Sequence, residues 1–206
     1  MQRQLVTITP QGTIGEALEL IRVHGIHHLP VVEGKTLLGV LTDRDLRMAL
    51  MPLNSNSHEK EIYFLTKEIS VQEIMTQRVI TASPDMYIED AARLMRNHSI
   101  GCLPVVEHDE LVGIITESDI LDVFIEMMRI ISGSERIDLI LGNRKGAFED
   151  VSATISQEGS EVLSVGMSPD EDLERRIYYF RIKGKNLATI VDALKRKQYK
   201  VISTYS

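Results

Sequence analysis

Cysteine is nearly missing from this chain. Its one residue, Cys102, can close no internal disulfide, and no CxxC pair exists from which to build a zinc or redox site. Long apolar runs are missing too. The stretches that come closest, such as 137–141, are broken by charges well short of the roughly 18 residues that a membrane span requires. The opening MQRQLVTITP offers no apolar signal core, and these absences together point to a cytoplasmic protein with no membrane partner. Cations are in the minority, 23 Lys and Arg against 30 Asp and Glu, for a formal net charge of −7. That balance argues against a nucleic-acid partner, because affinity for a phosphate backbone comes from clustered cations that displace counterions. The short run Lys195-Arg196-Lys197 reads as the solvated end of a helix. No GxSxG, HExxH or GxGxxG motif is found, and the acidic turn Asp170-Glu171-Asp172 after Pro169 reads as a loop. What remains is an ordinary globular composition, 206 residues with 43% hydrophobic and 26% charged, enough for one or two domains.

The sequence repeats itself. LPVVEGKTLLGVLTDRD at 29–45 lies on LPVVEHDELVGIITESD at 103–119 with a constant offset of 74 and no gap. Counted from Pro10 and Pro84, about 16 of 36 positions are identical. In each copy, apolar residues at helical spacing (Ile14, Ala17, Leu18, Ile21; Ile88, Ala91, Ala92, Met95) predict an amphipathic helix. Thr13 and Glu16 form a capping-box signature at the start of the first. Two short apolar runs follow each helix and predict a strand pair, and then comes a second helix. In copy two that helix carries a wide stripe, Ile120, Leu121, Phe124, Met127, Met128 and Ile131, broader than one small sheet needs, which suggests a partner subunit. The lead-in VQEIMT at 71–76 has no counterpart before copy one, so the natural chain is expected to start earlier. NSNSHEK at 54–60 reads as flexible linker.

Each copy also carries a small residue, then Thr, then Asp three later: Gly39, Thr42, Asp45 and Gly113, Thr116, Asp119. Two readings stay open. The Thr and Asp form a capping box for the helix that follows, or the hydroxyl and carboxylate bind ribose hydroxyls at a helix N-terminus whose amides favour phosphate. The pair His27 and His28 with Cys102 has no carboxylate at ligand spacing, so packing against the strands is preferred to a metal site.

With LPVV ahead of GxxTxxD in both halves, residues 1 to about 131 resemble a tandem CBS-domain pair. The resemblance implies two β-α-β-β-α units related by a pseudo-twofold axis, with adenosine nucleotides in the clefts between them. It implies Thr42 and Asp45 in one cleft and Thr116 and Asp119 in the other as ribose contacts, with Thr7 and Thr81 lining the same clefts. The backbone of His28, Leu29 and Pro30, and of Cys102, Leu103 and Pro104, would flank the adenine, and Arg44 would meet phosphate. Its repeat counterpart is Ser118, which offers one neutral donor where a guanidinium offers two charge-assisted ones, so the clefts should differ in affinity.

Beyond residue 134 the pattern becomes strand, helix, strand, strand, helix, strand, a ferredoxin-like βαββαβ order. With the Gly146 turn after the first strand it resembles an ACT domain, although Lys145-Gly146 stands where that family usually has Pro-Gly. A dimerising or partner-contacting role is preferred to amino-acid binding. The expected fold class is therefore α+β: CBS domain 1 at 1–53, linker at 54–70, CBS domain 2 at 71–131 and an ACT-like domain at 134–206. With YFLT at 63–66, the whole resembles the bacterial acetoin utilization protein AcuB family. That implies a non-catalytic homodimer requiring no cofactor, which senses AMP, ADP or ATP and signals to an unidentified protein partner in acetoin or acetate metabolism. The alternatives are an enzyme of acetoin catabolism and a structural dimerisation module with degenerate clefts.

Overall fold

The computed structural model describes residues 4–49, 68–130, 133–142, 145–169, 176–184 and 186–205. Residues 54–67 of the expected linker lie outside them, as do the YFLT segment, Ile131 and the acidic turn at 170–172. The chain divides into two compact units, Met1–Ile120 and Leu121–Ser206. No helix among the described residues is long and apolar enough to cross a membrane.

The first unit holds both repeats as far as the first turn of the last helix of copy two, which continues into the second unit. Copy one runs α1 (Ile14–His24), β1 (His28–Glu33), β2 (Thr36–Thr42) and α2 (Asp43–Ala49). Copy two repeats it as α3 (Ile88–His98), β3 (Cys102–Glu107), β4 (Glu110–Thr116) and α4 (Glu117–Met127). The capping box of Thr13 and Glu16 is present, with the Thr13 amide donating to Glu16 Oε2 at 2.9 Å and the Glu16 amide to Thr13 Oγ1 at 3.2 Å. Helix α1 ends at Gly25, φ 61, and α3 ends in the same left-handed conformation at Ser99, φ 53. The strand pairs share one register: His28 lies opposite Thr42 and Cys102 opposite Thr116, and both slip between the two valines, at Val31/Val32 and Val105/Val106. The motif threonine of each copy thus ends its strand directly across from the first residue of the partner strand.

Each copy has its own core. Ile14, Ala17, Leu29, Val31, Leu41 and Leu46 fill the first, and Ala91, Met95, Leu103, Val105 and Ile115 the second. A third cluster of Val40, Cys102 and Ile114, flanked by Leu5, Leu37 and Val79, takes side chains from both. Alongside it the Leu111 amide donates to the Lys35 carbonyl at 2.8 Å, and Lys35 Nζ reaches Glu110 Oε2 at 2.9 Å. Neither two-stranded sheet could bury both its faces alone, so the copies complete one another.

The lead-in before copy two does not pack where its place in the sequence implies. A short 3-10 turn, Val71–Glu73, puts Val71 into the core of copy one, with Ile69, Ile74 and Met75 against it. The Ile14 amide donates to the Ile69 carbonyl at 2.9 Å, the Val71 amide to Gly12 at 2.8 Å, and Thr76 and Val40 exchange backbone bonds at 2.9 and 3.0 Å. The segment is too short to show periodicity, so only its apolar content could have revealed this.

The second unit has the βαββαβ order: β5 (Glu135–Ile140), α5 (Ala147–Gln157), β6 (Glu161–Pro169), β7 (Arg176–Lys183), α6 (Leu187–Arg196) and β8 (Lys200–Tyr205). Its antiparallel sheet has strand order β6-β7-β5-β8, the split βαβ arrangement. Ile137, Leu139, Val151, Ile155, Phe180, Ile182, Ile190 and Leu194 form the core. Gly146, φ 78, turns the chain into α5. Among the alternate side chains of β5, Arg136 grips Asp138 at 2.6 and 2.9 Å and lies 4.2 Å from the centre of the Tyr179 ring. Of the expected stripe on α4, Leu121, Phe124 and Met127 are exposed.

One substitution tests the packing of the lead-in. A Cβ on Gly39 would stand 2.6 Å from Met75 Sδ and 3.0 Å from the Thr76 carbonyl oxygen. Gly39→Ala should therefore lower the unfolding free energy by about 1–3 kcal/mol, read from the urea midpoint at unchanged m-value.

Candidate functional site

Strand ends and helix starts meet around two cavities in the first unit, of about 370 and 380 Å³. Both fall within the size range of small-molecule sites. The first, the Arg44 cleft, takes Thr42, Asp43 and Arg44 from the β2–α2 junction. Facing them are Arg78, Val79 and Ile80 from the segment before α3, together with Ile100, Gly101, Cys102 and Pro104. The second, the Glu117 cleft, takes Thr116, Glu117 and Ser118 from the β4–α4 junction, faced by Gln4, Leu5 and Val6 and by Ile26, His27, His28 and Pro30. Shifting one set by the repeat offset gives the other almost residue for residue. Each cleft is walled by both copies, and His28 and Gly101 line both clefts.

The Thr and Asp of each motif are bonded to one another as a capping box. In copy one Asp45 Oδ2 accepts from the Thr42 amide at 2.9 Å and from its hydroxyl at 2.6 Å, while the Asp45 amide donates to Thr42 Oγ1 at 3.2 Å. In copy two the same bonds measure 2.8, 2.8 and 3.3 Å between Thr116 and Asp119. The capping geometry open in the sequence is therefore present in both halves. It uses Oδ2 of each aspartate, and Oδ1 takes part in none of these bonds.

The other expected site residues divide by position. Thr42, Arg44, Cys102 and Pro104 line one cavity, Thr116, Ser118 and Pro30 the other, and His28 both. Leu29 and Leu103 are fully buried in the two cores, so their side chains face away from any ligand. Thr7 and Thr81 do not line the cavities: Val6 and Ile80, one residue earlier, do so. The reason lies in the backbone. Ile8 and Ala82 form single parallel bridges with Val31 and Val105, and the alternation of an extended chain turns Thr7 and Thr81 away from the side that Val6 and Ile80 face. Arg78 is the residue that sequence reasoning missed; the signal was its replacement by Gln4 at the repeat position, just outside the segment aligned.

Electrostatics separate the halves. Burial lowers the affinity of His28 for a proton below the ordinary imidazole range, and His27 beside it adds to the effect, against the opposing carboxylates of Asp43, Glu117 and Asp45. Its repeat counterpart Cys102 is buried, and desolvation pushes the thiol up to about 12, so it packs as an uncharged apolar group. Burial works upward on Asp43, but the guanidinium of Arg47 and the His27 ring, Nδ1 at 3.5 Å, hold its carboxyl below the usual range. A Cβ on Gly101 would come within 3.0 Å of His28 Nε2, so the glycine leaves room for the ring. Among the described residues no group of three or more His, Cys, Asp or Glu is placed to hold a metal ion.

The CBS-domain family model matches residues 1–52 and 71–126. The CBS domain-containing protein YhcV of Bacillus subtilis is 34% identical over 120 residues, which cover 58% of this chain and 79% of that protein. A Vibrio cholerae structure described as an acetoin utilization protein (AcuB) superposes with a TM-score of 0.53 at 34% identity, over 63% of this chain and 90% of that one. The CBS domain pair of protein MJ0100, solved with 5′-methylthioadenosine and S-adenosyl-L-methionine, superposes with a TM-score of 0.50 at 29% identity, over 60% and 90% of the two chains. Enzymes are matched only in part: the chain spans 22% of an inosine-5′-monophosphate dehydrogenase from Korarchaeum cryptofilum.

Two outcomes follow from this geometry. Asp45→Ala and Asp119→Ala should each cost about 1 kcal/mol of stability through the lost cap, measured by urea unfolding. A folded state that disfavours protonated His28 binds fewer protons than the unfolded chain, so stability should fall as pH drops below the ordinary imidazole value of 6.5. His28→Gln should flatten that part of the profile, and an unchanged slope would assign it to other groups.

Proposed function

Since the chain belongs to the CBS-domain family, we propose that it is a non-catalytic regulatory protein whose two clefts bind adenosine-type ligands, AMP, ADP or ATP among them, and report their occupancy to a protein partner. The observation that carries this reading is the pair of repeat-related cavities, each built by both copies and lined by the motif threonine, Thr42 or Thr116, with Asp45 or Asp119 bonded behind it. A bound ribose would use what the caps leave: Oδ1 of Asp45 and Asp119 and the second lone pair of each threonine hydroxyl. Ile80, Ile100 and Pro104 in one cleft, and Val6, Ile26 and Pro30 in the other, offer the apolar walls that an adenine ring fits. The adenosyl ligands of MJ0100 support the ligand class, and the Vibrio cholerae relative supports a role in acetoin or acetate metabolism.

The second unit enters as an ACT-like module through its βαββαβ order and Gly146 turn. We assign it to contacts with a second copy or the regulated partner, and the exposed Leu121, Phe124 and Met127 of α4 give a homodimer an apolar surface to cover. Occupancy and partner binding are then linked reciprocally: a nucleotide that tightens the partner complex is itself bound more tightly in it by the same factor. One observation favours a different reading. The Thr–Asp bonds already have a structural use, which suits a dimerisation module whose clefts are degenerate.

Calorimetric titration of the purified chain with AMP, ADP, ATP and S-adenosylmethionine decides between them. Saturable binding at one or two sites per chain, with a rise in Tm, is the expected result. No heat and no thermal shift with any of the four would establish the degenerate module.

A further inference from the structure

We propose that the two clefts accept ligands of different charge: the Arg44 cleft a phosphorylated adenosine nucleotide, the Glu117 cleft an adenosyl compound without phosphate. This rests on the reading that the clefts bind adenosine-type ligands and adds which class each one takes. Both guanidiniums at the clefts, Arg44 and Arg78, line the same cavity, and the repeat positions in the other are Ser118 and Gln4. Among the described residues neither guanidinium is held in an ion pair, so both can turn to a ligand.

The acid at the rim reinforces the difference. Asp43 of the Arg44 cleft is held by Arg47 one helical turn on and lies 3.5 Å from His27, which leaves the two cleft guanidiniums to set the local potential. At the corresponding positions of copy two stand Leu121 and Gly101, so Glu117 has neither partner. One cleft therefore presents two cations beside a compensated carboxylate, and the other presents the Glu117 carboxylate near the His28 ring with no guanidinium. A phosphate gains charge-assisted bonds in the first and meets like charge in the second. A neutral thioether or a sulfonium meets no repulsion at Glu117. Discrimination by an unfavourable charge is as effective as discrimination by an added bond.

The test is calorimetric titration of the full chain with ADP and with 5′-methylthioadenosine, singly and each in the presence of saturating amounts of the other. The expected result is one site for each and no competition. Exchanging the cations for their repeat counterparts, Arg44→Ser with Arg78→Gln, should weaken ADP on the order of tenfold per guanidinium and leave 5′-methylthioadenosine unchanged. The reverse exchange, Gln4→Arg with Ser118→Arg, should raise ADP stoichiometry to two sites, and circular dichroism checks that each variant is folded. Competition for a common site, or equal loss of both ligands in the first variant, would overturn the division while leaving nucleotide sensing intact. No heat from either compound with the unmodified chain would overturn the sensing reading and the division with it.

Discussion

Everything at the two clefts depends on one small apolar contact between the copies. Val40, Ile114 and Cys102, with Leu5, Leu37 and Val79 around them, form a core cluster that takes strand residues from both halves. A two-stranded sheet with one helix pair cannot bury enough apolar surface to stand alone, and in each copy the strand facing this cluster would otherwise lie open to water. Closing it sets β2 against β4, and the cleft walls follow as a geometric consequence, because the threonine at the end of each strand then faces the lead segment of the other copy.

The local stiffness of the rims has the same origin. A capping box at the first turn of α2 and of α4 fixes the Thr and Asp before any ligand arrives. A site made of such groups is organised in advance, which reduces the ordering entropy of binding. The same Thr–Asp spacing that closes a capping box is the spacing that reads as a ligand signature, and the cap leaves Oδ1 of each carboxylate out of its bonds.

Much of this was legible in the sequence because it is written twice. The repeat set the strand pairs, their register and the matched helices, and the Thr13–Glu16 spacing announced its cap. The βαββαβ order of the last third followed from alternation and helical spacing alone. What stayed hidden was non-local and too short for periodicity. The segment around Val71 docks onto the copy it follows, not the one it precedes, through a handful of backbone bonds. Thr7 and Thr81 sit one residue out of phase with the cavity walls, an offset that strand alternation makes decisive but that no composition reveals. Arg78 differs from Gln4 at the repeat position but lies just outside the aligned segment, and the pairing of Asp43 with Arg47 and His27 required side chains in place.

The shared walls also bear on how such a chain could have arisen. A protein with a single repeat would have carried half of each cleft, and so could have worked only as a pair of identical copies. In that ancestor every substitution appeared in both clefts at once, and a cation gained by one site was gained by the other. Joining two copies in one polypeptide removed the constraint. Arg44 could then part from Ser118, His28 from Cys102 and Arg47 from Leu121, turning a symmetric pair of clefts into two that inherit separately.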